Sequence, residues 1–219
     1  MLPIISIVGA SNSGKTTFLE KLIPELAGRG YRVGAIKHDV HGFDMDREGK
    51  DTWRLGRAGA ATVSICSPVR VASIRLTEAE LGLEEIAARY YWTEDILITE
   101  GFKSAHFPKI EVFRSEVEPK PICGPENNLV ALITDDPVAA EVPRFSFADV
   151  CGVANFIEDR YLKNRKTPSV LVQCDGKQLP MNDFVRGFML STIQGMLSSL
   201  RGWKKPGTIS IHIRLDEDD

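Results

Sequence analysis

Hydrophobic and polar positions change their period several times along this chain, and each change marks an element. Residues 4–8 form a short apolar run, the kind a strand buried on both faces shows. Phe18, Leu19, Leu22, Ile23 and Leu26 then recur at helical spacing until Gly28 and Gly30 stop the segment. Pro24 inside that stretch lacks a backbone donor, which predicts a kinked or shortened helix. Residues 32–36 predict a second strand. Strand, helix, strand in succession implies an α/β fold with a mostly parallel sheet, flanked by helices and carrying its ligand site at the carboxyl ends of the strands.

The pattern continues in that style. Residues 51–61 predict a helix with Arg54 and Arg57 on one side, and residues 62–66 and 69–76 predict paired strands about a Ser67-Pro68 turn. Residues 81–91 return to helical spacing with Leu83, Ile86, Ala87 and Tyr90 inward. Apolar strands follow at 95–100, 109–114 and 129–134, with a proline-bearing loop at Pro119 and Pro121. A helix over 149–162 closes this domain, assigned to residues 1–164. A basic linker runs from Lys163 to Pro168, and residues 165–219 form a small α+β C-terminal module. Within it the pattern predicts a strand at 169–173, a turn at Asp175-Gly176, a helix from an Asn182 cap to Leu200 and a strand at 208–213. Val185, Phe188, Met189, Ile193, Met196, Leu197 and Leu200 make one stripe of that helix, expected to be core.

Composition narrows the class. The chain has 219 residues, ordinary hydrophobic content and a net charge of -3, so no global basic footprint points to nucleic acid. No apolar run reaches the ~18 residues of a membrane span. Cys66, Cys123, Cys151 and Cys174 are far apart with no C-x-x-C pair, which suggests neither a zinc site nor a disulfide framework and fits a reducing cytoplasm.

Chemistry concentrates in Gly9-Ala10-Ser11-Asn12-Ser13-Gly14-Lys15-Thr16. The spacing G-x-x-x-x-G-K-[ST], behind a strand and before a helix, is that of a phosphate-binding P-loop. Gly9, Asn12, Ser13, Gly14, Lys15, Thr16 and Thr17 are its candidate nucleotide contacts. Backbone N–H groups close around phosphate oxygens, the Lys15 ammonium reaches the outer phosphates, and the Thr16 hydroxyl faces Mg²⁺. Glu100, at the end of an apolar strand, stands where such proteins place the acid that holds Mg²⁺. The polar loop after the second strand carries His38, Asp39, His41, Asp44 and Asp46. It reads as metal coordination by Asp39, as water positioning by Asp39 or His38, as closure over phosphates, or as a solvated loop whose acids cap the next helix. Asp135, ending the 129–134 strand, is either an acceptor for guanine N–H groups or part of a turn.

Several of these stretches together resemble one family. Ile36-Lys37-His38-Asp39, His41 to Asp46, Gly49 to Arg54, Ala58-Gly59-Ala60 and Glu100-Gly101-Phe102-Lys103, taken with the P-loop, are similar to the molybdopterin-guanine dinucleotide biosynthesis protein B (MobB) family. The likeness covers about three quarters of the chain and not the C-terminal module. It implies a P-loop NTPase fold, GTP and Mg²⁺ as cofactors, and slow GTP hydrolysis with Lys15, Asp39 and Glu100 at the reacting phosphate. It also implies a MobA-like molybdenum cofactor guanylyltransferase as partner, molybdopterin as a further candidate ligand, and a role in attaching GMP to molybdopterin. A homodimer would let Arg54 or Arg57 act in trans. Rival readings are a non-hydrolysing, nucleotide-responsive adaptor and a metallochaperone GTPase suggested by His38 and His41.

Overall fold

Six strands lie side by side in the order β2-β5-β1-β6-β7-β8, every neighbouring pair parallel, in the computed structural model of the chain. The structure describes residues 2–39, 42–43, 46–163, 170–174, 177–204, 209, 211 and 213. It divides into two compact units, residues 1–166 and 167–219.

In the first unit β1 (Ile4–Val8) is buried along its whole length, and α1 (Lys15–Gly28) and β2 (Val33–Lys37) follow it. α2 (Asp51–Arg57), a hairpin of β3 (Thr62–Ser67) and β4 (Arg70–Arg75), and α3 (Leu83–Tyr90) come next. β5 (Ile96–Glu100), β6 (Lys109–Val112), β7 (Leu129–Ile133) and β8 (Arg144–Phe145) complete the sheet, and α4 (Val150–Ile157) closes the unit. The two faces of the sheet are buried separately. Ile5, Ile7, Ile96 and Ile98 pack with Phe18, Leu22 and Leu26 of α1 and with Val153 and Ile157 of α4. Ile4 and Leu97, one position out of phase, pack with Leu83 and Ala87 of α3 on the other side. Each fully buried side chain of this size contributes about 1.5–3 kcal/mol, so α1 alone ties its turns firmly to the sheet.

Several boundaries differ from the sequence expectation. Pro24 neither ends nor shortens α1, which runs to Gly28 with Leu22 and Leu26 buried on either side of it. α2 stops at Arg57, short of Ala61, because Gly59 takes a φ of 105° and the Ala60 amide bonds back to Leu55. Tyr90 is half exposed; Tyr91 instead continues the Leu83, Ala87 stripe, covers Gly34 and donates its hydroxyl to the Ala35 carbonyl. β8 was not foreseen, since two residues carry no period. The last helix begins one residue after Asp149, whose carboxylate accepts from the Gly152 amide, and widens into a π turn over Glu158–Leu162.

In the second unit, β9 (Gln173–Cys174) and β10 (Lys177–Gln178) pair antiparallel, and α5 (Asp183–Ser198) starts from Asn182, whose side chain accepts from the Val185 amide. No α5 residue is buried, and Phe188, Met196 and Leu200 are largely exposed, so the expected apolar stripe is not core. The sheet described in this unit has two residues in each of its two strands, too little to cover one whole side of a four-turn helix. The Asp175-Gly176 turn and most of the expected strand at 208–213 lie outside the described residues, as do His41 and Asp44. No helix among the described residues is long and apolar enough to cross a membrane.

Candidate functional site

Because all six strands point the same way, the segments that leave their carboxyl ends gather along one edge. β1 sits where the connections change sides, with β5 and β2 on one flank and β6, β7 and β8 on the other, which is the position where open α/β sheets bind ligands.

The loop leaving β1 has the backbone that an anion cradle requires. Gly9 has a φ of 143°, and a side chain there would meet the Val112 carbonyl and the Ser13 hydroxyl. Asn12 adopts a left-handed φ of 63°, and Gly14, φ 96°, caps α1 in the same region. The Lys15 ammonium folds over the loop and donates to the Ala10 carbonyl at 2.7 Å. Burial pushes its pKa down, Glu100 opposes that, and Lys103 and Lys37 push it further down. Three ammonium groups and one carboxylate therefore share this edge. Ser13 is 1% exposed, and its hydroxyl has no hydrogen-bond partner among the described residues. A buried hydroxyl left unpaired beside free helix N–H groups fits a loop built to receive phosphate oxygens.

The decisive contact joins residues 84 positions apart. Thr16 at the start of α1 donates its hydroxyl to the Glu100 carboxylate at 2.8 Å. The sheet makes this possible: β1 pairs with β5 so that Ile7 lies opposite Glu100, and β2 places Lys37 opposite Glu100 on the other flank. Asp39, exposed, follows two residues beyond Lys37, and the His38 amide donates to the Glu100 carbonyl at 2.9 Å. Lys15, Thr16, Glu100 and the start of the Asp39 loop are thus brought together. Thr17 is exposed on the first turn of α1. Arg54 pairs with Asp51 and Arg57 lies over Trp53, both on α2 itself.

On the other flank, segments after β6, β7 and β8 line a pocket of about 120 Å³ formed by Arg114, Ser115, Glu116, Asp135, Asp136 and Phe147. Arg114 stacks its guanidinium over the Phe147 ring at 4.0 Å and donates Nε–H to the Ser13 carbonyl at 3.2 Å, which ties this pocket to the P-loop. Asp135 accepts from the Phe147 amide at 3.1 Å, and Asp136 accepts from the Ser115 amide and hydroxyl, whose bonds hold its pKa below the usual carboxylate value. Both carboxylates line the pocket; Asp136 ties the turn after β6, and Asp135 ties the segment after β8. Sequence reasoning missed Arg114 and Phe147; neither lies in a motif, and only the order of β6, β7 and β8 joins them.

Comparison with known proteins agrees with this geometry. The family model for molybdopterin guanine dinucleotide synthesis protein B, MobB, matches residues 4–135. The chain belongs to this family. The molybdopterin-guanine dinucleotide biosynthesis adapter protein of Haemophilus influenzae is 37% identical over 72% of this chain and 89% of its own length. A putative adapter protein of the same description from Methanocaldococcus jannaschii is 27% identical, but covers 96% of this chain and 97% of its own. Coverage of that extent must include most of residues 167–219. A crystal structure of molybdopterin-guanine biosynthesis protein B superposes with a TM-score of 0.58 at 33% identity, covering 71% of this chain and 98% of that one. Bacillus subtilis MobB superposes at 0.59 and 27%, covering 75% of this chain and all of that one. MobB is a nucleotide-binding, P-loop type of protein, and the parallel sheet with its glycine loop is that fold.

Among the described residues no three His, Cys, Asp or Glu side chains gather as a metal cluster. All four cysteines are free thiols.

Proposed function

We propose that this MobB-family chain binds GTP with Mg²⁺ at the P-loop edge and acts as an adapter in the cytoplasmic assembly of the guanine dinucleotide form of the molybdenum cofactor, next to a MobA-like guanylyltransferase. The observation that carries the nucleotide reading is the Thr16–Glu100 contact, because a hydroxyl and a carboxylate held 2.8 Å apart beside a P-loop are the oxygen donors a magnesium–nucleotide site uses. The names of the relatives support the pathway.

Gly9 to Gly14 would hold the phosphates through their amides, with Ser13 adding its hydroxyl. Lys15 would exchange the Ala10 carbonyl for phosphate oxygens, and burial strengthens that attraction. Thr16 and Glu100 would hold Mg²⁺, which neutralises charge on the outer phosphates when bound. Asp39 would orient water or hold metal from the loop after β2. Asp135 and the Arg114–Phe147 stack would receive the base, with Asp135 as the acceptor for guanine N–H groups. This chain would then hydrolyse GTP slowly, by positioning and charge stabilisation.

A competition assay tests the reading by measuring GTP, ATP and a molybdopterin-bearing ligand side by side, with and without Mg²⁺. Tight, Mg²⁺-dependent GTP binding that ATP fails to displace is expected; equal displacement by ATP would remove Asp135 from its role. Single-turnover hydrolysis separates slow GTPase from pure adapter, the second being the role that the relatives' names carry. A homodimer is supported by the β3–β4 hairpin, a two-stranded sheet with Ile65, Val69 and Val71 exposed. Specific GTPase activity that does not change on dilution would count against a residue supplied by a second copy.

A further inference from the structure

The segment that carries Glu100 does not hold its shape alone. Directly after β5 the backbone takes two left-handed steps, Gly101 at φ 100° and Phe102 at φ 55°. Glycine accepts the first freely. For phenylalanine the second is strained, and such a conformation persists only where its surroundings fix it. His38 covers one face of it. Its imidazole stacks on the Phe102 ring with centroids 4.3 Å apart and planes 19° from parallel. A side chain at Gly101 would meet the His38 Cβ at 3.2 Å, so the absence of one there lets the imidazole close on the turn. Its Nε2–H donates to the Glu80 carboxylate at 3.1 Å, in the segment that leads from β4 into α3. Phe102 itself packs at the edge of the core beneath α3.

We propose that His38 is a positioning residue: by clamping the Gly101-Phe102 turn it fixes the Glu100 carboxylate against Thr16 and links that carboxylate to the Glu80 segment. The inference rests on the Mg²⁺–nucleotide reading of the site and names the part that aims its metal-holding acid. Two features localise the effect. The His38 amide bonds to the Glu100 carbonyl through the backbone, and β5 is paired on both sides up to Glu100. Removing the imidazole therefore leaves β5 paired and frees the turn that leaves its last residue, so the backbone of Glu100 stays while the aim of its side chain against Thr16 loosens. The Glu80 carboxylate is 79% exposed, so its bond adds little holding force and serves as the connection to α3.

The test uses full-length protein and a fluorescent GTP analogue, titrated with Mg²⁺ and, separately, in EDTA. His38→Ala is expected to raise the Mg²⁺ concentration needed for half-maximal retention of the analogue by roughly fivefold, the loss of one aromatic stack, while affinity in EDTA stays at the wild-type value. His38→Phe, which keeps the stack and loses only the Glu80 bond, is expected to restore the wild-type Mg²⁺ requirement. Amide hydrogen exchange of residues 100–103 in nucleotide-free protein should quicken in His38→Ala and not in His38→Phe. An unchanged Mg²⁺ requirement in His38→Ala would overturn the proposal, as would equal losses with and without Mg²⁺, or a His38→Phe variant as weak as the alanine. Wild-type protein that binds no analogue under any condition would instead sink the nucleotide reading itself.

Discussion

β1 and β5 on one side, and the β3–β4 hairpin on the other, begin as similar text: short apolar-rich strands bounded by turn residues. In the structure they have opposite fates. Ile5, Ile7, Ile96 and Leu97 are fully enclosed between α1, α4 and α3, whereas Ile65 and Val71 of the two-stranded sheet and Val69 of its turn are exposed. The difference teaches that a strand's apolar residues specify burial only where helices are available on both faces. The buried pair can hold a carboxylate and a hydroxyl in register 84 residues apart because its strands cannot slip. The hairpin has no such constraint and two open edges, the condition under which a sheet accepts another chain.

The contrast predicts a steep gradient of mutational cost. Leu22→Ala, beneath the β1–β5 pair, is expected to lower unfolding free energy by about 2–5 kcal/mol in urea titration, because a fully enclosed site leaves a cavity. Val71→Ser in the hairpin should stay within about 0.5 kcal/mol of wild type in the same dilute assay; a loss as large as that of Leu22→Ala would erase the distinction.

At the site itself, Lys15→Ala should weaken GTP binding by roughly a hundredfold, about 2.7 kcal/mol at 1.36 kcal/mol per decade. Stability of the nucleotide-free protein should not fall, since burial already disfavours the charged lysine. Glu100→Gln keeps an acceptor for Thr16 but removes the charge, and is expected to raise the Mg²⁺ requirement about tenfold with affinity in EDTA retained.

The smallest effect concerns pH. Glu158 accepts from the Tyr31 hydroxyl and the Arg29 guanidinium, and these bonds hold its pKa below the usual value for a glutamate, 4.5. A depressed carboxylate contributes stability that is complete above 4.5 and is lost as pH falls through its folded value. Glu158→Gln should therefore lower the urea midpoint at pH 7 and flatten its decline between pH 5 and 3. A variant whose acid limb stays as steep as wild type would show that the Arg29–Glu158 tie at the end of α1 carries none of the acid sensitivity.

Much of the site could be read before the fold was known. The glycine loop, Lys15 and Thr16 are contiguous, and their mechanism is a property of one turn entering one helix. Glu100 could be placed because an apolar run ending in an acid is a local pattern. Arg114, Phe147 and the His38–Phe102 stack could not be found that way, since each joins segments from different strands. Asp135 could be named as the candidate of the Asp135-Asp136 pair, but that it holds the Phe147 amide while Asp136 holds Ser115 came only from the fold.

The order of residues by itself settled where the chain changes period, and with it most strands and helices of the first unit, the phosphate loop and the parallel class of the sheet, since these follow from neighbouring side chains and backbone preferences; the two-residue β8, the early end of α2 and the short β9 it did not give. The tertiary structure alone decided which strands became neighbours, and so which acid meets Thr16. It also decided which stripes were covered: Leu22 and Leu26 of α1 are, whereas Phe188 and Met196 of α5, on a stripe of the same helical period, are not. The physical reason is that period is set within a few residues of chain, while burial depends on whether another layer of the protein is there to exclude water.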